Sequence, residues 1–436
     1  MIRRLDTATL GAAGVARMLD RSPAAVDAEI HRRVDEIVAT VRDKGDAALL
    51  DFTERFDGVS LTARELAVTR GELAAAESAV GVTTMRALRY AAERIERFHR
   101  ENAPRSWRMT DALGSRLGQE VRPLDRVAVY VPGGRAAYPS TVLMTVIPAR
   151  VAGVKEIVLV SPPSADKSLP PAVLAAARVA GVTEAYRIGG AQAVAALAYG
   201  TETIRRVDKI VGPGNIYVAL AKSRVFGDVG IDMIAGPSEV MVIADASADP
   251  EWVAADLLAQ AEHDPMARAV LLTLSRTLVD AVAAAVERQL AVLPRREIAG
   301  AALRSQGALV LTRSLEEAVE IANLLAPEHL ELQVADPDTL LAEVRNAGAV
   351  FLGRYTPEVV GDYVAGPNHV LPTGGTARFA SALGTEDFVK RLSVIQYAQA
   401  GLREAGPHVA ELARVEGLDG HGAAAAMRIE SGGDQR

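Results

Sequence analysis

Apolar residues recur along this chain with two different spacings, each typical of one kind of secondary structure. Between Ser22 and Gly45 they stand three and four positions apart, which places them on one face of an α-helix. Ser22-Pro23 suits the N-cap and first position of that helix, and Lys44-Gly45 suits its end. A second stretch of this kind runs from Thr83 to Arg100. The apolar positions of the first helix are Val26, Ile30, Val34, Ile37 and Val41.

After Asp125, short β-branched apolar runs alternate with helical stretches. This alternation predicts parallel sheets with helices on both faces. We therefore predict an α/β fold of two doubly wound, incomplete Rossmann-like lobes with parallel sheets, and with helical N-terminal and C-terminal extensions. In the first block, strands are expected at RVAVYV (126–131), EIVLV (156–160), a run ending at Gly189-Gly190, and KIV (209–211), with helices at Thr141–Ala152, Ala172–Ala180 and Ala191–Tyr199. In the second block, strands are expected at EVMVIA (239–244), AVLLTL (269–274) and ALVLT (308–312), with helices at Pro250–Glu262, near Leu278–Leu290 and after Ser314, where Glu317 suits a capping box.

The two blocks and the chain ends divide the sequence into four predicted parts. Its length of 436 residues is too great for one ordinary core. The terminal segments are too short to be domains, and we expect them to pack as arms or as a dimer extension. The predicted parts are an N-terminal arm (1–23), a first α/β lobe (24–128 with 239–384), a second α/β lobe (129–238) and a C-terminal dimerisation tail (385–436).

The composition excludes several classes of function. The net charge is -7 and is spread thinly, which argues against a nucleic-acid or anionic-membrane partner. The chain has no cysteine, so disulfides, a thiolate nucleophile and a cysteine-built zinc site are all absent. No targeting segment stands out, and no run of about 18 apolar residues occurs. We therefore expect a cytoplasmic protein, in which any metal is bound by histidine, carboxylate or amide groups.

Gln260 and His263 are the first candidates for metal ligands. Asp249 and Pro250 suit the start of a helix that runs to about His263. Residues three apart share a helix face, so the amide oxygen and the imidazole would point the same way. A histidine near a helix C-terminus is also favoured by the helix dipole without any metal. The spacing alone leaves both interpretations open.

Glu328-His329 follows the capped helix and lies close to a strand end, where α/β enzymes place reactive groups. A histidine that titrates near neutrality can take a proton from an alcohol, and a neighbouring carboxylate can orient water. For an isolated pair, a solvated turn is the commoner interpretation. Asp362 and His369 lie in a loop-forming stretch and His421 lies in the tail, where ordinary turns also explain them.

The nucleotide-binding signal is weak. Neither G-x-G-x-x-G nor G-x-x-x-x-G-K-[ST] occurs in the chain. Glycine-rich turns follow predicted strands at 132–134, 189–190 and 212–214. Such turns can present backbone N–H groups to phosphate, although plain tight connections are commoner. The residues taken alone thus indicate an α/β enzyme and leave metal dependence open.

One longer motif indicates a family. The segment IDMIAGPSE (231–239) closely resembles the most distinctive motif of histidinol dehydrogenases. The resemblance covers essentially the whole chain, with the blocks in the family's order and no motif residue lost. Gly420 and Gly422, where the family often has larger residues, bear on the stiffness of the tail. The other matching blocks are VGPGN (211–215), AQAEHD (259–264), APEHLEL (326–332), GDYVAGPNHVLPTGG (361–375) and EGLDGHG (416–422).

The resemblance implies a role for each matching residue. It implies one zinc ion per subunit, bound by Gln260, His263, Asp362 and His421, with His421 supplied by the partner chain of a homodimer. It implies Glu328 and His329 as catalytic residues. It places the metal and catalytic residues on the first lobe and NAD on the second. The implied NAD site is Tyr130, Gln192 and Asn215, and the implied substrate contacts are Ser238, Gln260, His263, His329, Asp362, His369, Glu416 and His421.

The implied reaction is the oxidation of L-histidinol to L-histidine through bound L-histidinaldehyde, with two NAD reduced, in the last steps of histidine biosynthesis. A relative that oxidises another amino or hydroxyalkyl substrate is the nearest alternative. A zinc hydrolase would need no nicotinamide and would release no NADH. A non-catalytic nucleotide-binding assembly protein would show no turnover.

Overall fold

The protein is described here by a computed structural model that covers residues 2–20, 28–133 and 137–430. The strands are β1 (Arg3–Asp6), β2 (Trp107–Thr110), β3 (Arg116–Pro123), β4 (Arg126–Tyr130), β5 (Glu156–Ser161), β6 (Glu184–Arg187), β7 (Lys209–Val211), β8 (Gly230–Ile231), β9 (Glu239–Ala244), β10 (Arg268–Thr273), β11 (Ala308–Leu311), β12 (His329–Gln333), β13 (Ala349–Leu352) and β14 (Val389–Gln396). The helices are α1 (Thr7–Leu19), α2 (Ala28–Lys44), α3 (Asp46–Asp57), α4 (Ala63–Leu66), α5 (Arg70–Glu101), α6 (Pro139–Ala152), α7 (Pro171–Ala180), α8 (Gly190–Tyr199), α9 (Ile216–Val225), α10 (Pro250–Ala261), α11 (Arg276–Val292), α12 (Arg296–Gln306), α13 (Leu315–Leu325), α14 (Pro337–Leu341), α15 (Glu358–Tyr363), α16 (Gln399–Glu416) and α17 (Asp419–Glu430).

Two parallel sheets confirm the predicted α/β class. One has five strands in the order β6-β5-β4-β7-β8, and the other has six in the order β1-β11-β10-β9-β12-β13. Every neighbouring pair in both sheets is parallel. Strands β4, β9 and β10 are buried along their whole length. Helices therefore cover both faces of each sheet, which is why these strands are almost entirely apolar after their first residue.

The chain separates into two compact units. The first comprises Met1–Asn102 and Asp125–Phe388 and holds both parallel sheets. The second comprises Ala103–Leu124 and Val389–Arg436 and holds an antiparallel sheet in the order β14-β3-β2 with helices α16 and α17. In that sheet β14 pairs along its length with β3, from Val389 opposite Pro123 to Gln396 opposite Arg116. The sequence analysis assigned no strand to either segment.

The N-terminal residues add to the edge of the six-stranded sheet, where β1 runs parallel to β11. Helices α2 and α3 pack in the same core as the five-stranded sheet, although the sequence placed residues 24–128 with the other lobe. The periodicity of a helix shows which face is buried but not which sheet it is buried against. The four-part division itself stays a prediction, and the predicted N-cap at Ser22-Pro23 lies outside the described residues.

Helix α13 shows how a predicted cap is only half formed. Ser314 accepts a hydrogen bond from the backbone N–H of Glu317, as expected. The Glu317 carboxylate does not return the bond to Ser314. Instead it accepts from the backbone N–H of Arg313 at 2.7 Å and from the Thr7 hydroxyl at 2.6 Å. The cap thereby joins α13 to the start of α1.

Among the described residues, no helix combines the length and apolarity that crossing a membrane requires.

Candidate active site

One cavity in the first unit brings most of the predicted site residues together. It has a volume of about 580 Å³. One wall comes from the carboxyl end of the five-stranded sheet, with Pro132 after β4 and the segment 213–216 after β7. The other comes from the amino end of the six-stranded sheet, where Ser238 precedes β9 and Glu328 precedes β12. Glu328 and His329 therefore lie at the opposite end of a strand from the one that α/β enzymes usually use.

Strand β9 holds the Glu328-His329 pair through the backbone of Glu239. The N–H of Glu239 donates to Glu328 Oε2 at 2.8 Å, and the carbonyl of Glu239 lies 3.0 Å from Nδ1 of His329. The Glu239 side chain is itself fixed, because it accepts from the backbone N–H of Gly374 at 2.8 Å and pairs with buried Arg268 at 3.2 Å. A single residue thus orients both candidate catalytic groups.

The contact between Nδ1 of His329 and the carbonyl of Glu239 decides which ring nitrogen carries the hydrogen. A carbonyl oxygen can only accept, so Nδ1 carries the hydrogen and Nε2 keeps its lone pair. The ring is buried, and burial lowers the pKa of His329 to about 4. The imidazole is therefore neutral at pH 7 and can accept a proton at Nε2. Glu328, which is also buried, lines the same cavity.

A cluster of possible metal ligands lies beside this pair. Ligand atoms of His263, Glu358 and Asp362 all lie within 4.8 Å of one another. His263 follows the end of α10, and the two carboxylates stand four residues apart on α15, which puts them on one face of that helix. The Asp362 carboxylate also lies 4.0 Å from His329 Nε2 and 4.0 Å from His369 Nδ1.

Gln260 is buried on α10 next to the cluster. In the orientation of the Gln260 amide that satisfies its hydrogen bonds, the nitrogen donates to both carboxylate oxygens of Glu358, at 2.8 and 3.2 Å. That orientation turns the amide oxygen, the atom that can bind a metal, away from the carboxylate. Burial and the neighbouring carboxylates of Asp362 and Glu331 raise the pKa of Glu358. The sequence analysis did not single out Glu358, although its spacing of four from Asp362 was visible in the sequence.

His369 and Ser238 complete the wall on this side, and both line the cavity. Nδ1 of His369 lies 3.0 Å from the Asp362 carbonyl, so this ring also carries its hydrogen on Nδ1. Burial lowers the pKa of His369. The loop that leads to Ser238 is anchored by a hydrogen bond of 2.6 Å from the N–H of Gly236 to the hydroxyl of Thr373.

The three residues predicted to bind NAD lie at the carboxyl end of the five-stranded sheet, and only Asn215 lines the cavity. Its Oδ1 caps α9 by accepting from the N–H groups of Tyr217 and Val218, and the residue is exposed. Tyr130 is buried and its hydroxyl accepts from the Gly190 N–H at 3.0 Å. Burial raises the pKa of Tyr130 to about 12.

Gln192 lies in the first turn of α8 and is buried. Neither its Oε1 nor its Nε2 has a hydrogen-bond partner within the described part of the chain. A buried amide without partners is costly, so such a group is expected to meet a ligand or water. The turn before it is tightly built, because a Cβ on Gly189 would lie 2.6 Å from the Pro162 side chain.

Comparison with known proteins identifies the family. The family model described as histidinol dehydrogenase matches residues 20–429. The histidinol dehydrogenase of Geobacillus kaustophilus is 58% identical over 93% of this chain and 95% of its own length. The one from Synechococcus is 53% identical over 99% of both chains. A crystal structure of histidinol dehydrogenase from Elizabethkingia anophelis superposes with a TM-score of 0.94 at 37% identity, covering 99% of this chain and 98% of the other.

The chain belongs to the histidinol dehydrogenase family. It is therefore an oxidoreductase, and the family motif IDMIAGPSE acquires a structural meaning in it. The last residue of that motif is Glu239, whose backbone orients Glu328 and His329. The sequence alone could not reveal this role, because the contacts are made by main-chain atoms that every residue has.

Two further residues that the histidinol dehydrogenase motifs single out lie in the second unit. Glu416 is the last residue of α16, and His421 lies in the first turn of α17. Both side chains are exposed. Their contribution to a substrate or metal site stays a prediction.

Proposed function

We propose that this chain oxidises L-histidinol to L-histidine through bound L-histidinaldehyde, with the reduction of two NAD. The observation that carries the proposal is the position of the Glu328-His329 pair, which lines one cavity with the metal-ligand cluster and with Asn215. An alcohol held in this cavity has a neutral imidazole as proton acceptor. A cavity of about 580 Å³ also suits a small molecule together with part of a nucleotide.

In the first oxidation, His329 acts as the general base. Its Nε2 takes the proton of the alcohol while a hydride leaves the carbinol carbon for the first NAD. The Nδ1 hydrogen bond to the carbonyl of Glu239 keeps the ring in the orientation and tautomer that this transfer needs. The proton taken up by the imidazole must be released before the second oxidation, since the same nitrogen acts again.

In the second oxidation, Glu328 acts first. Its carboxylate removes a proton from water as the water oxygen forms a bond to the carbonyl carbon and the carbonyl π electrons move to oxygen, which gives the hydrate as its oxyanion. His329 then takes a hydroxyl proton from the hydrate while the second hydride leaves for the second NAD. The products are L-histidine and a second NADH, and the protons pass to solvent. Retention of the aldehyde in the cavity allows one site to perform both steps.

The donor set fits zinc. Zinc accepts mixed nitrogen and oxygen ligands; the cluster offers an imidazole and carboxylates, and neighbouring Gln260 adds an amide oxygen, without any thiolate. We propose that Gln260, His263 and Asp362 hold the ion, with His421 of a partner chain as fourth ligand in a homodimer. When bound, zinc supplies a positive charge that holds the amine and imidazole nitrogens of the substrate. The homodimer and a cytoplasmic location stay predictions from the sequence.

The nicotinamide nucleotide fits the other wall of the cavity. Three features support nucleotide binding at this wall. The buried amide of Gln192 has no partner in the described part of the chain, and Asn215 is exposed. The N-termini of α8 and α9 present N–H groups that favour phosphate. These features stand at the carboxyl end of a parallel sheet, where such ligands bind in open α/β folds.

The experiment is an assay of NADH formation with L-histidinol before and after chelation of the metal. We expect formation of NADH that chelation abolishes and added zinc restores. Sulfonated and simple diols serve as comparison substrates. Faster turnover of one of these than of L-histidinol would assign the chain to a different substrate. Hydrolysis of a substrate without formation of NADH would contradict the proposed oxidation.

A further inference from the structure

A buried ion pair clamps the turn that begins the nucleotide wall of the cavity. This turn starts at Gly212, the residue directly after β7, and continues to Asn215. Gly212 has a φ of +108°, and a Cβ there would collide with the carbonyl of Tyr130 at the end of β4. The turn thus depends on glycine and on tight contact with the neighbouring strand.

Lys222 and Asp232 together satisfy both polar groups of the Gly212 backbone. The Asp232 carboxylate accepts from the Gly212 N–H at 2.7 Å, and the Lys222 ammonium donates to the Gly212 carbonyl at 3.0 Å. The two side chains also form an ion pair with each other. Their side chains are only 3% and 1% exposed, respectively. An ion pair buried this deeply is costly unless further hydrogen bonds satisfy its charged groups, and here each side chain also makes one to Gly212.

The position of the pair links it to the nucleotide wall. Lys222 comes from α9, the helix that Asn215 caps, so the lysine ties the carbonyl at the start of the turn to the helix at its end. Asp232 directly follows β8 and begins the connection to Ser238. The far end of that connection has its own anchor, the hydrogen bond between Gly236 and Thr373. Loss of the pair should therefore displace the turn more than it displaces Ser238.

We propose that Lys222 and Asp232 are positioning residues for nicotinamide-nucleotide binding, acting through the backbone of Gly212. This inference rests on the proposed function, because it takes NAD as the ligand of this wall. The pair touches neither the cavity nor the cluster of metal ligands. Its effect must therefore appear in nucleotide affinity and not in the chemistry of Glu328 and His329.

The test uses the zinc-loaded full chain and two variants. Lys222→Met keeps the length of the side chain but removes the donor to Gly212 and leaves Asp232 without its cation. Lys222→Met combined with Asp232→Asn removes both charges and keeps an acceptor for the Gly212 N–H. NADH affinity is measured by fluorescence titration, and thermal unfolding is followed in parallel. KM values for NAD and for L-histidinol provide the kinetic comparison.

We expect Lys222→Met to lower both the unfolding temperature and the affinity for NADH, the latter about tenfold or more. In the double variant the unfolding temperature recovers, because no unpaired charge stays buried, while the affinity for NADH stays low. The KM for NAD rises in both variants and the KM for L-histidinol changes less than about twofold. This pattern separates positioning of the turn from general stability.

The matched control is Arg126→Met, at the opposite end of the same sheet. Arg126 is also buried and pairs with Glu184 and Glu156, so its loss should destabilise the fold and leave NADH affinity unchanged. Recovery of NADH affinity together with stability in the double variant would overturn the inference, as would unchanged affinity in both variants. A wild-type chain that binds no NADH would overturn the proposed function and this inference with it.

Discussion

Replacement of Glu328 by glutamine separates the two oxidations. The Glu328 carboxylate accepts a hydrogen bond of 2.8 Å from the N–H of Glu239. The amide oxygen of glutamine can accept the same bond, so the free energy of unfolding should change by no more than about 1 kcal/mol. The substitution thus removes a proton acceptor from the cavity while the shape of the site is kept.

The expected effect is large in one half-reaction only. A positioned general base contributes about 10²- to 10⁴-fold to a rate, or about 3–5 kcal/mol of barrier. Glu328→Gln should therefore slow the oxidation of L-histidinaldehyde by about 10²-fold or more. Alcohol oxidation uses His329, whose Nδ1 contact to Glu239 is unchanged, and should fall less than about threefold.

The assay measures NADH formation from L-histidinol and from L-histidinaldehyde with the same enzyme preparation. Glu331→Gln is the control, because Glu331 is a fully buried acid on β12, the strand that Glu328 directly precedes, and does not line the cavity. In that variant both half-reactions should change by a similar factor. Equal losses in both half-reactions of Glu328→Gln would refute the assignment of Glu328 to water activation.

Three further outcomes are expected. Burial lowers the pKa of His99 to about 4, against 6.5 for an exposed histidine. As the pH falls, the imidazole is therefore protonated in the unfolded chain before it is protonated in the folded one. The free energy of unfolding should fall by about 3 kcal/mol between pH 6.5 and 4. Urea unfolding of wild type and His99→Leu checks this, and parallel pH profiles would contradict it. Mixed His421→Ala and His329→Ala chains should regain about a quarter of wild-type activity, because half of the dimers carry one intact site; no recovery would exclude a shared site. His263→Ala should lower the zinc content measured by mass spectrometry, and full occupancy would show that His263 is not a ligand.

The sheets could be predicted because their strands are buried on both faces. The runs RVAVYV and EVMVIA are apolar after their first, charged residue and correspond closely to β4 and β9. By contrast, all side chains of β14 are exposed or half-buried, so no buried apolar face marks that strand. Its partner β3 also lies more than 260 residues earlier in the chain, and no local spacing can reveal such a pairing.

The side chains of the site were predictable where a residue type limits the chemistry. Glu328, His329 and Asp362 were named from the sequence, and the structure places all three on the same cavity. Glu239 was not named, because its contribution comes from backbone atoms. Lys222 and Asp232 escaped notice for a different reason, since a lysine and an aspartate ten residues apart have no spacing that predicts a contact.

The stoichiometry of the complete reaction tests the central claim most directly. A limiting, known amount of L-histidinol is converted to completion with excess NAD, and NADH and L-histidine are both quantified. If the cavity retains the aldehyde and His329 also serves its oxidation, we expect two NADH and one L-histidine for each L-histidinol. One NADH for each L-histidinol, with L-histidinaldehyde released into solution, would contradict it.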